Sequence, residues 1–475
     1  MVTRPRGLYR PGARCASVCR MNDTILELTN TMQLADDDLP LHERVAAAVE
    51  AAIAAGQYPV GARLPTHRQL AQQFSVSIGS VTRAIDALSA RGVVRGEIGR
   101  GTFVLDRSDG TGDEAGPVDM SINAPTPVIS LAQMAAASAI ANRQALALPN
   151  GGYVDLTGTE RQRSVLAGWL STHRTPLAAD EIVLCNGAQQ GLHLAFAEQR
   201  AQSTLIVTET ATYPGALAAV ASLGMRMLPV AVDGEGMVPE ALERELIVSG
   251  ARTIYTTPVC QNPLGFETGP GRRRALLAVA ARHDAMIVED DIYGFYAGKG
   301  GPSYKAMAPE RVYFVTSLSK SLTPLVRVGV LAPPAAQMPA VRKRLRAEGW
   351  GLPPYVAEVA AAMIECGLAD TAMTALRAEA KLRLDMAQEI LGLGALLMPD
   401  GAPHVWLPMA PLRAEQVARR ASEAGVRLTP PSATQVGDVP VAGIRLCLMA
   451  PPRATLARAL GVIARILATD EDVIV

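Results

Sequence analysis

Lysine is the scarcest charged residue in this chain. Of 45 basic residues only Lys299, Lys305, Lys320, Lys343 and Lys381 are lysine, and the other 40 are arginine. Arginine stays protonated and cannot act as an amine nucleophile, so any chemistry that needs an amine has five candidate side chains. Cysteine is sparse too: Cys15, Cys19, Cys185, Cys260, Cys366 and Cys447 are spread over 475 residues. That excludes a disulfide framework, and metal-type spacings are missing; a reducing cytoplasm fits. There is no excess charge, since 45 acids balance 45 bases. A uniformly basic nucleic-acid coat is excluded, although a local basic patch is not. No uninterrupted apolar run approaches the ~20 residues of a membrane helix. With 49% hydrophobic and 19% charged residues, the chain is not mostly disordered. At roughly 150 residues per domain, its length suggests two to four domains.

Composition divides the chain. Residues 1–20 carry Arg4, Arg6, Arg10, Arg14 and Arg20 without an acid. Residues 1–35 are therefore expected to be a disordered basic arm, or the product of a start placed too early, with Met21 or Met32 as the true one. Residues 36–105 read as one unit. Val45, Ala48, Val49 and Ile53 recur at helical spacing over Leu41–Ala55. A second helix is expected from Thr66, as N-cap, to Phe74, and a third from Ser77 to Ala90. Val93-Val94 and Thr102–Val104, separated by Gly99-Arg-Gly101, read as a hairpin. Residues 106–119 are polar and glycine-rich and read as a linker. From residue 120 onward, apolar strand-like runs alternate with helical stretches. This predicts an α/β domain with a mostly parallel sheet buried on both faces.

Three helices and a hairpin outline a winged helix-turn-helix, in which the third helix enters the major groove and its N-terminal side chains reach base edges. Ser77, Ser80, Thr82 and Arg83 lie in the first two turns of that helix. Residues 41–104 hold seven Arg, no Lys and four acids, a local charge of +3. The strings Leu64-Pro-Thr-His-Arg-Gln-Leu-Ala71, Val76-Ser77 and Gly99-Arg-Gly-Thr-Phe-Val104 resemble the GntR family of bacterial transcription regulators. The resemblance implies DNA contacts, mainly to phosphates, from Arg68, Ser77, Ser80 and Gly101, with Arg95 and Arg100 serving the wing. Many members carry Arg where this chain has Ile78 and Thr82, so Arg83 is expected to take over part of that role.

The C-terminal part carries an amine in a telling place. Val312–Ser319 is an apolar strand ending in Ser-x-Ser before Lys320. A Schiff-base lysine must be desolvated and rigidly held, and ligand sites in α/β sheets lie at strand ends. Met286-Ile-Val-Glu-Asp290-Asp-Ile-Tyr293 is a second strand ending in acids; a pyridinium nitrogen needs such a carboxylate partner. Gln261-Asn262-Pro263 offers an amide to a phenolic oxygen, and Tyr213-Pro214 a ring for stacking. Asn186-Gly187-Ala188-Gln189 opens a helix whose N-terminus suits a phosphate, and Ser317 and Arg327 flank the lysine.

This order of elements resembles fold-type I pyridoxal-phosphate (PLP) enzymes of the class I/II aminotransferases, over about residues 120–470. The resemblance implies Lys320 as the catalytic, cofactor-bearing lysine, Asp290 on the ring nitrogen, and Asn262 with Tyr293 on the ring oxygen. It implies Tyr213 stacked on the ring and Gly187, Ala188, Gln189, Ser317 and Arg327 at the phosphate. Tyr153 would reach the phosphate of a partner subunit, and Arg445 would grip a substrate carboxylate. The implied fold is a PLP-dependent transferase domain over 120–475 with a smaller α+β lobe from about 350, and no metal. Both halves together resemble the MocR-type subfamily of GntR regulators. That implies a cytoplasmic, homodimeric, domain-swapped transcription regulator. It would bind operator DNA and sense PLP or an amino-acid effector. A working aminotransferase carrying a DNA-binding domain is the alternative.

Overall fold

The computed structural model describes residues 40–54, 57–59, 61–90, 92–97, 101–105, 116–146, 153–296, 300–394 and 401–469. The expected basic arm, Arg100 and residues 106–115 of the expected linker lie outside them. Two compact units divide the chain.

The N-terminal unit contains α1 (Leu41–Ala54), α2 (His67–Phe74), α3 (Ile78–Ala90) and an antiparallel hairpin of β1 (Val94–Glu97) and β2 (Gly101–Val104). Thr66 caps α2 with a reciprocal box: its hydroxyl accepts from Gln69 N at 3.3 Å, and Gln69 Oε1 accepts from Thr66 N at 2.9 Å. Ser75, at φ 54°, ends that helix and turns the chain toward α3. Ser77 then caps α3 by accepting from Ser80 N at 3.1 Å. Val45, Val49, Leu70, Phe74, Val81 and Leu88 close one apolar core.

The larger unit is built on a seven-stranded sheet. Its strands are β4 (Val183–Asn186), β5 (Leu205–Glu209), β6 (Arg226–Val230), β9 (Thr253–Thr256), β10 (Met286–Asp290), β11 (Val312–Ser317) and β12 (Val328–Ala332). The order is β4-β12-β11-β10-β9-β5-β6. Only β12 runs antiparallel to its neighbours. The two-residue strands β7 (Val232–Asp233) and β8 (Gly236–Met237) form a side hairpin. Strand residues are buried on both faces, as a helix-covered sheet requires. Tyr313 and Val315 pack toward α6 (Gly187–Gln199) and α7 (Pro214–Ser222). Val312 and Phe314 point the other way, into the cores that hold α4 (Leu131–Ala145), α5 (Glu160–His173), α8 (Pro239–Ser249) and α9 (Pro270–Arg282). Of the parallel strands, β5, β9, β10 and β11 finish at Glu209, Thr256, Asp290 and Ser317. This carboxyl edge is where an α/β sheet offers its ligand site.

Helices α10 (Tyr304–Met307), α11 (Met338–Glu348), α12 (Pro354–Glu365) and α13 (Leu368–Leu391) follow. The smaller lobe contains β13 (His404–Pro408), α14 (Pro411–Glu423), β14 (Val426–Arg427), β15 (Gly443–Cys447) and α15 (Arg453–Thr469). Two expected boundaries move. Residues 118–119, read as linker, form β3 (Val118–Asp119), which pairs in parallel with β14 and leads Met120 into the lobe core. The lobe does not begin near 350: Ala357, Val359, Ala360 and Met363 of α12 pack with α4 and α5 in the large-domain core, and beyond them the first residue in the lobe core is Leu384. Both shifts come from long-range packing that local composition does not encode. Among the described residues no single helix is long and apolar enough to cross a membrane.

Candidate functional site

Lys320 follows β11 by three residues, in a turn held by the sheet beneath it. It is largely buried, and its Nζ donates to the backbone carbonyl of Asn123. Burial pulls its ammonium down to about 8, with the guanidinium groups of Arg445 and Arg327 acting in the same direction. Across the same cavity, Asp290 ends β10. Burial pushes its carboxyl up to about 6, opposed by a hydrogen bond that Tyr255 donates to Oδ2 at 2.9 Å. Its Oδ1 is buried without a partner. The adjacent Asp291 points away and is held by Arg174 through Nε at 2.6 Å and Nη2 at 2.8 Å.

Three further groups are oriented by their neighbours. Asn123 Nδ2 donates to the Tyr293 hydroxyl at 3.0 Å, leaving the Tyr293 hydrogen free to donate. The same amide lies 3.0 Å from His404 Nδ1, while His404 Nε2 lies 3.2 Å from the Gln261 carbonyl. Burial drives the His404 imidazole down to about 3, so it is neutral. Arg445 donates to Asn262 Oδ1, to Thr429 Oγ1 at 2.7 Å and to the Ser121 carbonyl, and its buried Nε has no partner.

The fourth wall is the start of α6. Its first-turn N–H groups have no helical acceptors, and its N-cap Asn186 makes no side-chain cap. Gly187 sits at φ +71°, and a Cβ on Gly329 of β12 would come within 2.4 Å of the Gly187 carbonyl carbon. Glycine at both positions lets strand and helix close into a cup, with the Arg327 guanidinium beside it.

Together these groups line a cavity of about 470 Å³. Lys320, Asp290, Tyr293, Asn262, Tyr213, Gly187, Ala188, Gln189, Ser317, Arg327 and Arg445 all border it. Tyr153 does not: it is 85% exposed and packs on Trp350 with ring centroids 4.7 Å apart. Sequence reasoning missed Ser121, Asn123, Thr257 and Thr429, which line the cavity, and Tyr255, which supports Asp290 from behind. None stands in a motif; Asn123 follows the two-residue β3 and Tyr255 lies inside β9.

The arrangement fits PLP. The unpartnered Asp290 Oδ1 is an acceptor for a ring N–H, Thr257 is a further polar group in the lining, and the α6 cup suits a phosphate dianion.

In the N-terminal unit Arg68, Ser77 and Arg83 are exposed, and Thr82 is half-buried with its hydroxyl 3.2 Å from His67 Nδ1. Ser80 is 6% exposed and bonds to the Ser77 hydroxyl at 2.9 Å, so it braces the helix start. Gly101 takes φ +117°, and a Cβ there would strike the Arg63 guanidinium at 2.5 Å.

A mostly parallel α/β sheet, a buried lysine at its carboxyl edge and an opposed carboxylate define a PLP-binding protein of the aminotransferase fold. The profile of the family described as "Aminotransferase class I and II" matches residues 117–463, and that of "Bacterial regulatory proteins, gntR family" matches residues 41–104. The probable rhizopine catabolism regulatory protein MocR of Rhizobium meliloti is 28% identical over 331 residues, covering 63% of this chain and 66% of MocR. The pyridoxine biosynthesis transcriptional regulator PdxR of Corynebacterium glutamicum is 31% identical over 297 residues, 60% of this chain and 64% of PdxR. Pyrococcus horikoshii kynurenine aminotransferase superposes with a TM-score of 0.68 at 24% identity, covering 75% of this chain and 92% of that one. The chain belongs to the aminotransferase class I and II family, carries a GntR DNA-binding domain, and is a MocR-type transcription regulator whose family cofactor is PLP.

Proposed function

We propose that this regulator senses PLP, or an amino acid reacting with it, in the Lys320 cavity and transmits that state to operator binding. The observation that carries the reading is the segment Ser121–Asn123. Its two outer carbonyls accept from Arg445 and Lys320 respectively, the two groups that a carboxylate and an aldehyde would engage. A ligand on either side chain competes with a carbonyl of this segment. The segment directly follows β3, the first strand after the DNA-binding unit in sequence. Two arrangements with different ligand affinities are what a population shift requires.

PLP, when bound, supplies an aldehyde that reacts with amines and a ring that acts as an electron sink. The residues around it have separable tasks. Lys320 offers a desolvated amine, and Asp290 accepts at the ring nitrogen. Asn262 and Tyr293 donate to the phenolic oxygen, Tyr213 covers the ring, and the α6 N-terminus with Ser317 and Arg327 holds phosphate. Arg445 grips a carboxylate. Arg68, Ser77, Arg83 and, through its backbone, Gly101 meet DNA, with Thr82 beside them. The working form is a cytoplasmic, domain-swapped homodimer, nucleoid-associated when DNA-bound. Its two DNA-binding units match two half-sites, and the exposed Tyr153 is presented to the partner subunit.

The shared cavity of Lys320, Asp290 and Arg445 also favours a second reading, a working aminotransferase. Purified full chain is assayed for binding to its own upstream DNA across a salt series and for multiple turnover of amino acids with 2-oxoglutarate. Salt-dependent binding with negligible turnover supports the regulator. Sustained turnover without DNA affinity supports the enzyme.

A further inference from the structure

Three acids stand in a row at the end of β10: Glu289, Asp290 and Asp291. Successive side chains of a strand alternate between faces, so the two outer acids share one side and Asp290 takes the other. Each outer acid has its own partner. Glu289 accepts from the backbone N–H groups of Tyr304 and Lys305, both at 3.0 Å. Asp291 is wholly buried and accepts both prongs of the Arg174 guanidinium, at 2.6 and 2.8 Å. Of the three, Asp290 alone keeps a buried carboxylate oxygen without a partner.

Asp290 and Asp291 carry the same chemical group one residue apart, and Arg174 is what separates them. It closes α5, with its backbone N–H donating to the Leu170 carbonyl at 2.7 Å, so its cation is tied to a helix end. Asp291 is tied to β11: its N–H donates to the Val315 carbonyl at 2.8 Å, and the Thr316 hydroxyl donates to its carbonyl at 3.2 Å. The turn that follows lies directly on the ion pair. A Cβ on Gly294 would come within 2.0 Å of Asp291 Oδ2 and 2.3 Å of Arg174 Nε. That turn carries Tyr293, which borders the cavity, whereas Arg174 does not border it. Without Arg174 the Asp291 carboxylate would be a buried charge lacking compensation, and the polar cavity on the other side of the strand would offer it relief.

We propose that Arg174 is a positioning residue for the cofactor. By taking Asp291, it selects which of two adjacent aspartates meets the ring nitrogen, and it fixes the turn that presents Tyr293. This role is the same whether the bound cofactor serves sensing or turnover.

The test is PLP affinity and the absorbance of bound PLP in the full chain, for the native protein, Arg174→Gln and Arg174→Gln/Asp291→Asn. Arg174→Gln should weaken PLP at least tenfold and reduce the lysine-bound band at saturation. The double variant should return to within threefold of the native affinity, because an uncharged side chain at 291 no longer competes with Asp290. Both variants lack the ion pair, so a merely structural role predicts equal losses in the two. Unchanged affinity in Arg174→Gln, or a double variant that binds no tighter than the single one, would overturn the assignment. Should Arg174→Gln not fold, Arg174→Lys keeps the charge but lacks the fork. It should weaken PLP at least threefold and be relieved in the same way by Asp291→Asn, and the same two contrary results would count against the proposal.

Discussion

Tyr255 donates its phenolic hydrogen to Asp290 Oδ2 at 2.9 Å and leaves Oδ1 as the one carboxylate oxygen without a partner. This hydrogen bond favours the ionised carboxylate, whereas burial opposes it and sets the carboxyl at about 6. The ionised form is the one that accepts from a ring N–H. PLP affinity should therefore fall as pH drops through about 6. In Tyr255→Phe the fall should begin at higher pH, because the stabilising donor is gone. A pH series of PLP dissociation constants for both proteins checks this, and superimposable profiles would refute it.

Lys320 sets a second pH dependence, again from burial but with the shift in the opposite direction. Burial lowers its ammonium to about 8, so the neutral amine grows about tenfold per unit as pH rises toward that value. The rate at which the absorbance band of lysine-bound PLP appears should climb toward pH 8 and flatten above it. Lys320→Ala should never develop the band.

Asn123 orients Tyr293 and meets His404, both at 3.0 Å. Asn123→Ala removes these contacts but keeps the backbone carbonyl that receives Lys320. Losing a neutral hydrogen bond of this kind costs about 0.5–1.5 kcal/mol. PLP affinity should weaken by a corresponding several-fold, with the spectrum of the bound cofactor retained; calorimetry and absorbance read the two.

His404 couples the same cluster to acid stability. Its folded-state value is depressed to about 3 by burial, below the 6.5 of an exposed imidazole. Between these values the unfolded chain binds the extra proton, so this contribution to stability is complete above about 6.5 and is lost as pH falls toward 3. The slope is at most about 1.4 kcal/mol per unit. His404→Gln should lessen the decline in Tm of the large unit between pH 6 and pH 4.

In the N-terminal unit, Thr66→Ala breaks the capping box and should cost about 1 kcal/mol. Arg68→Ala should lower DNA affinity uniformly across sequences and reduce the salt slope by about one, with PLP uptake unchanged. Circular dichroism melts and anisotropy across a salt series measure these effects.

What the sequence disclosed follows a physical pattern. Lys320, Asp290 and the helix start Gly187–Gln189 stand where strands end, and strand ends are marked by abrupt changes from apolar to polar residues, while Asn262 is marked by its Gln-Asn-Pro string. The sheet and the three-helix unit were equally legible, because burial on both faces makes strands continuous apolar runs and burial on one face gives helices their periodicity. Asn123 and Ser121 were not, since they reach the cavity only because Val118–Asp119 pairs with Val426–Arg427 some 308 residues away. Tyr255 hides in an apolar strand, where its hydroxyl leaves no pattern. The burial of Ser80 was not legible from its polarity, although its spacing from Ala84 and Leu88 sets it toward the core face.

The most direct test of the account is the affinity of the full chain for its upstream DNA, measured without PLP, with PLP, and with PLP plus a mixture of amino acids, in the native protein and in Lys320→Ala. The account predicts that ligand changes the affinity of the native protein at least fivefold and leaves Lys320→Ala unmoved. Identical affinities of the native protein in all three conditions would contradict it.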